Sequence, residues 1–162
     1  GAAISRRLAQ GGWKVVVQYR GSAREADALA AEIGALTIAA DLADPEAAEA
    51  LPVRAAERLG APLSAVVNNA SVFEYNTALT FTVEDWRRDQ TVNLLSPMLI
   101  ARAFAKTLPP GGLGAVVNFI DQKIWNLNAD FFSYTISKIG LEGATRLLAR
   151  ARAAGLPAVL DA

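Results

Sequence analysis

Residues 64–71, Ser-Ala-Val-Val-Asn-Asn-Ala-Ser, decide how this chain is read. A short apolar run rich in valine stops at two asparagines and two small residues, the pattern of a strand that ends in a tight loop. Working outward, residues 14–19 (KVVVQY) are a β-branched run, read as a strand buried on both faces. Residues 35–40 (ALTIAA) and 115–120 (AVVNFI) read as two more short strands. The segments between them read as helices. Residues 2–10 place Ile4 and Leu8 on one stripe and stop at Gly11-Gly12; residues 23–33 are alanine-rich and close at Gly34. Asp44 suits an N-cap with Pro45 at the first helical position, and that helix runs to about Leu59. A long helix is expected over 82–106, opened by Thr82 with Glu84 and Asp85 near its positive end. A turn follows at Pro109-Pro110-Gly111-Gly112, and a second long helix covers 131–153. Strands separated by crossover helices predict one α/β domain over 1–162, a doubly wound (Rossmann-like) parallel sheet with helices on both faces.

Composition narrows the chemistry. The 162 residues are 52% apolar and 20% charged, with no net charge, no cysteine and no histidine. Thiolate and imidazole metal sites are excluded, and acid–base work falls to Tyr, Lys, Asp or Glu. The scattered basic residues give no nucleic-acid surface. No apolar run approaches the ~18–20 residues that cross a bilayer, and no signal peptide opens the chain, so a cytoplasmic protein without a membrane partner is expected.

Ligands of doubly wound sheets bind beyond the carboxyl ends of the strands. The segments there hold the candidates. Arg20 and Ser22 follow the first strand, where an acidic residue would suit NAD; a guanidinium suits the 2′-phosphate of NADP, or is a solvated surface arginine. Asp41-Leu42 follows the second strand, where a carboxylate can accept from an adenine amino group or cap its own loop. Asn69, Ala70 and Ser71 let backbone approach a flat ligand, and Phe73 offers either a stacking face or loop packing. Asp121, directly after the fourth strand, is placed for chemistry or for a cap. Tyr134 and Lys138, at i and i+4, share one helix face, where an ammonium lowers a phenol's pKa; the alternative is a helix-surface pair. Asn93 is polar within an apolar helix and needs partners, either for function or as a satisfied structural amide.

Asn-Asn-Ala at 68–70, Asn93 within Val-Asn-Leu, and the Tyr134-x-x-x-Lys138 pair follow in the order and spacing of the short-chain dehydrogenase/reductase family, which the chain resembles from Gly1 to about Arg150. The resemblance implies an NADP(H)-dependent oxidoreductase. Tyr134 would be the proton donor, with Lys138 lowering its pKa and holding the nicotinamide ribose. Asn93 would hold a water in the proton relay, Asn69 and Ala70 would line the cofactor, and Asp41 would meet adenine. The family's usual serine is replaced by Asp121, thirteen residues before Tyr134, which resembles the pteridine reductase branch. An aromatic at Phe73 and the Tyr-x-x-Ser stretch Tyr19 to Ser22 resemble that branch too. Its implied substrate is a dihydropterin or dihydrofolate stacked on Phe73, with Asp121 beside Tyr134. A 3-oxoacyl-type carbonyl reductase is the alternative, and a non-catalytic binding or scaffold subunit is a third. Gly1 resembles the last glycine of the family's glycine-rich turn. The sheet is therefore expected to lack its first, central strand and its C-terminal strands, with 151–162 an atypical tail. A fragment that binds cofactor poorly on its own is expected. Apolar residues on several faces of the two long helices imply, by the same resemblance, a homodimer or homotetramer.

Overall fold

The computed structural model describes residues 1–109 and 111–153. The chain alternates α1 (Ala2–Gln10), β1 (Val16–Tyr19), α2 (Ala23–Ile33), β2 (Leu36–Ala39), α3 (Pro45–Leu59), β3 (Ala65–Asn68), α4 (Val83–Gln90), α5 (Ser96–Thr107), β4 (Ala115–Asn118) and α6 (Phe132–Ala153). This is a Rossmann-like α/β fold. Nearly all of the atypical tail expected at 151–162 lies outside the described residues. No helix among the described residues is long and apolar enough to cross a membrane.

The helix ends follow the expected chemistry. Asp44 Oδ1 accepts the N–H groups of Glu46 and Ala47 at 2.9 and 3.3 Å, and Pro45 opens α3 where a missing N–H costs nothing. Thr82 and Asp85 form a reciprocal capping box: Asp85 N–H donates to Thr82 Oγ1 at 3.0 Å, and Thr82 N–H donates to Asp85 Oδ2 at 2.9 Å. The single helix expected over 82–106 is interrupted, however. A π-helical turn at Thr91–Leu95 separates α4 from α5. Pro97 gives the physical reason, because it has no N–H to donate to the carbonyl of Asn93 four residues earlier, and its ring crowds that carbonyl.

The strands pair in parallel. Val16 lies beside Leu36 and Tyr19 beside Ala39; Ala65 lies beside Ala115 and Asn68 beside Asn118. These are two separate two-stranded sheets, β1–β2 and β3–β4. Strand β1, expected to be buried on both faces, is only half-buried at all four positions, as is β3. Among the described residues each strand has a neighbour on one side only, so its other edge lacks the cover a central strand receives. The core gathers beneath: Leu42, Ala48, Val92 and Ile100 form one cluster, and Ala101, Phe104 and Val116 form another. Val66 packs against both. Because β3 and β4 are parallel and in register, the loops after Asn68 and Asn118 leave the sheet side by side.

The second cluster is tightly filled. A Cβ on Gly114 would meet Phe104 Cζ at 2.7 Å and Leu108 Cδ1 at 3.0 Å, and Phe104 is fully buried. Gly114→Ala is therefore expected to lower unfolding stability by about 1–3 kcal/mol in a denaturant titration. An unchanged midpoint would show that the Phe104 ring has room to yield.

Candidate active site

At the carboxyl ends of β3 and β4 a polar ladder fixes the frame. Asn68 Nδ2 donates to Asn118 Oδ1 at 2.8 Å, and Asn118 Nδ2 donates to Thr145 Oγ1 at 2.9 Å, tying both strands to α6. Asn93, fully buried, fixes the loop after β3. Its Oδ1 accepts from Val72 N–H at 2.9 Å and Ser71 Oγ at 3.1 Å. Its Nδ2 donates to the Val72 carbonyl at 3.0 Å and to Ser137 Oγ at 3.1 Å. Both donor and both acceptor positions of the amide are used, so the side chain is a staple with no valence free for a water. Pro97, four residues on, has no N–H to donate to the Asn93 main-chain carbonyl.

Tyr134, Asp121, Lys138 and Phe73 come together here. Tyr134 and Lys138 are both buried on one face of α6. Tyr134 OH donates to Asp121 Oδ2 at 2.8 Å. The other oxygen of Asp121 accepts from Lys123 N–H at 2.9 Å and caps a 3-10 turn at Gln122–Ile124, so the aspartate is both a cap and the tyrosine's partner. Lys138 Nζ donates to the Phe119 carbonyl at 2.8 Å. Phe73 stands edge-to-face with Tyr134, ring centroids 4.6 Å apart.

The electrostatics differ from the expectation that Lys138 lowers the tyrosine's pKa. Burial, then the Asp121 carboxylate, push the Tyr134 phenol well above its ordinary value, and the nearby Ser71 hydroxyl opposes them. The Lys138 ammonium is turned to Phe119, with Nζ 5.7 Å from the tyrosine ring centroid. Burial lowers the Lys138 pKa while Asp121 raises it. Asp121 is held below the usual carboxylate range, first by the Lys123 N–H and also by the tyrosine hydroxyl. Tyr134 thus keeps its proton at neutral pH, beside a charged acceptor.

The other candidates fall in two groups. Gly1 starts α1 against the third loop, where a Cβ would come 3.4 Å from Asn69 Nδ2. Ala70 and Ser71 are exposed beside it. Arg20 and Ser22 are exposed beyond β1; Ser22 makes no side-chain cap, and among the described residues Arg20 has no ion pair. Asp41 accepts its own loop's Ala43 N–H at 2.9 Å. Leu42 sends its side chain into the core, and its carbonyl accepts from Ser96 Oγ at 2.7 Å.

Two features were not legible to motif reading. Asp89, fully buried, accepts from Ser133 Oγ at 2.5 Å and pairs with Arg88 Nε at 3.2 Å. Ser133 Oγ in turn accepts from Asn76 Nδ2 at 2.7 Å, and Asn76 Oδ1 accepts from Ser133 N–H at 3.1 Å. This joins α4, the loop after β3 and the start of α6. The available signal was Asp89's position four residues before Asn93, on the same buried helix face. The second feature is Phe131, the one non-glycine residue with positive φ (57°) among the described residues, a conformation costing an L-residue about 1–2 kcal/mol.

Residues 1–155 match the family model described as enoyl-(acyl carrier protein) reductase. A short-chain type dehydrogenase/reductase of Picea abies is 31% identical over 93% of this chain and 60% of its own length. An NADPH-dependent aldehyde reductase of Arabidopsis thaliana chloroplasts is 29% identical over 93% and 61%. The crystal structure of FolM alternative dihydrofolate reductase 1 from Brucella suis, in complex with NADP, superposes with a TM-score of 0.86 at 37% identity, over 93% of this chain and 63% of that one. The chain spans about 60% of the length of these curated relatives.

Replacing Asp121 by Asn removes the charge facing the phenol but leaves the burial. One tyrosine titration is expected to move down toward ~10 in Asp121→Asn, read from the ultraviolet phenolate band. An unmoved titration would show that burial alone sets the tyrosine.

Proposed function

We propose that this chain, which belongs to the short-chain dehydrogenase/reductase family, forms the active site of an NADP-dependent reductase for a flat C=N substrate of the dihydropterin or dihydrofolate type. The observation that carries this reading is the hydrogen bond from Tyr134 OH to Asp121, with the Phe73 ring standing against that same tyrosine. Such a constellation offers a ring a face to lie on, its polar edge a carboxylate, and a basic ring nitrogen a proton.

NADPH would supply the hydride when bound. Arg20 and Ser22 suit its 2′-phosphate, a guanidinium being the better partner for that group, while Gly1, Asn69, Ala70 and Ser71 offer small side chains and backbone. Everything else is proton management by the chain. Tyr134 enters the reaction protonated and hands its proton to the substrate nitrogen. The phenolate that forms faces Asp121, which is unfavourable, unless Lys138 shifts its ammonium from the Phe119 carbonyl toward the phenol. Asp121 accepts from the polar edge of the ring. A water on the Asn93 carbonyl would restore the proton.

A carbonyl substrate is the second reading, favoured by the similarity to the aldehyde reductase and by the capping duty of Asp121, which suffices to explain that residue. A homodimer or homotetramer is also proposed: Leu94, Leu95 and Met98 line a recess on the α4–α5 side, and Leu95, Ile139 and Leu147 are exposed on the long helices. A purely binding subunit is disfavoured by the intact Tyr134 and Lys138.

The test is NADPH oxidation by the full-length protein with dihydrobiopterin and dihydrofolate against a panel of ketones. Turnover of the pterins is expected, falling on the order of 10²–10⁴-fold in Tyr134→Phe and strongly in Asp121→Ala. Turnover of ketones alone, unaffected by Asp121→Ala, would overturn the pterin reading. Activity surviving in Tyr134→Phe would remove the proposed acid.

A further inference from the structure

On the reading that a flat ring stacks on Phe73, we propose that Phe131 determines specificity by occupying that stacking place in the free protein, so that a flat substrate binds only by displacing it. The Phe131 ring lies parallel to Phe73, with centroids 4.0 Å apart and planes 7° from parallel. Tyr134 already stands perpendicular to Phe73. A substrate ring that lies flat on the Phe73 face that Phe131 covers needs the position Phe131 now fills.

Three observations make the ring displaceable rather than structural. Two phenyl rings have the same quadrupole and prefer offset or edge contacts with centroids about 4.5–7 Å apart, so a close parallel pair is a poor match for both. A heterocycle with electron-withdrawing nitrogens is a better partner for the Phe73 face. The positive φ of Phe131 is strained for a phenylalanine, while its carbonyl accepts the Thr135 N–H at 2.9 Å and the Thr135 hydroxyl at 2.8 Å. Finally, Phe131 is outside the two buried clusters of the core; its other aromatic and cation contacts are Tyr75, exposed and edge-on at 5.6 Å, and Lys123 Nζ at 5.1 Å. With one face against Phe73, the ring presents its other face to the ammonium. The berth therefore already holds an aromatic ring between an aromatic face and a cation.

A small aliphatic carbonyl compound needs no stacking face and would leave Phe131 in place. Phe131 thus separates flat from non-flat substrates.

The experiment measures dihydrofolate binding to the NADP⁺-saturated protein by calorimetry, in the wild type, Phe131→Gly and Phe73→Leu, with the KM of a small aliphatic ketone as control. Glycine suits the positive φ, so Phe131→Gly keeps the helix start. Dihydrofolate is expected to bind on the order of two- to tenfold tighter to Phe131→Gly, the range an aromatic pair supplies, and more weakly to Phe73→Leu, with the ketone KM unchanged in Phe131→Gly. Equal or weaker binding by Phe131→Gly, with the loss in Phe73→Leu retained, would overturn the displacement and leave the flat-substrate reading standing. Unchanged binding by Phe73→Leu would sink both.

Discussion

A buried amide that must satisfy all its hydrogen bonds holds this site in place. Asn93 sits fully inside the protein, where an unpaired N–H or carbonyl costs about 1–3 kcal/mol. It meets that demand by gripping both main-chain groups of Val72 and the hydroxyls of Ser71 and Ser137. Those partners belong to two segments far apart in the chain, the loop after β3 and helix α6. Satisfying one side chain therefore sets the distance between the loop that holds Phe73 and the helix that holds Tyr134. The Asp89–Ser133–Asn76 chain does the same one turn earlier. Pro97 completes the arrangement from the other side, since the π-turn it induces leaves the Asn93 main-chain carbonyl without its usual donor.

On this fixed frame the charges are in tension. A phenol beside a carboxylate keeps its proton, which is the state a reductase needs before the reaction and the wrong preference after it. The buried ammonium of Lys138 is the compensating charge, and it is directed at a carbonyl rather than at the phenol. On the proposed reading, the same three groups require a small movement of one long side chain before the proton is released. A serine in place of Asp121 would remove the opposition but also the anionic acceptor for a polar ring edge.

Most of the fold was legible because it rests on local rules. Helices α1 and α2 begin and end where alanine-rich periodicity and glycine stops put them, and the Asp44 and Thr82 caps are where their side chains predict. The break in the 82–106 helix was missed although Pro97 was in plain view, because a proline in a first helical turn and a proline in a helix interior look alike until the register is known. The burial of β1 was over-read, since a valine run reports what a strand is suited to, not how many neighbours it has. Tyr134, Lys138, Asn93 and Asp121 were singled out by helix spacing, by burial and by position after strands, and their roles were implied by the resemblance. Asp89, Ser133 and Asn76 were not, because their pairing spans up to 57 residues and leaves no periodic trace.

Phe131 shows a further limit of sequence reading. The sequence places Phe131 at the start of the last helix, and nothing in its identity reveals a left-handed backbone or a ring lying parallel on Phe73. The polar groups of the site are immobilised by buried hydrogen bonds that leave them few alternatives. The aromatic layer above them is held by a close phenyl stack, one exposed tyrosine edge and a cation, contacts that are individually weak and easily exchanged. Rigidity below and exchangeability above are what a site requires if it is to protonate at a fixed point while admitting a ring through a face that is covered when the site is empty.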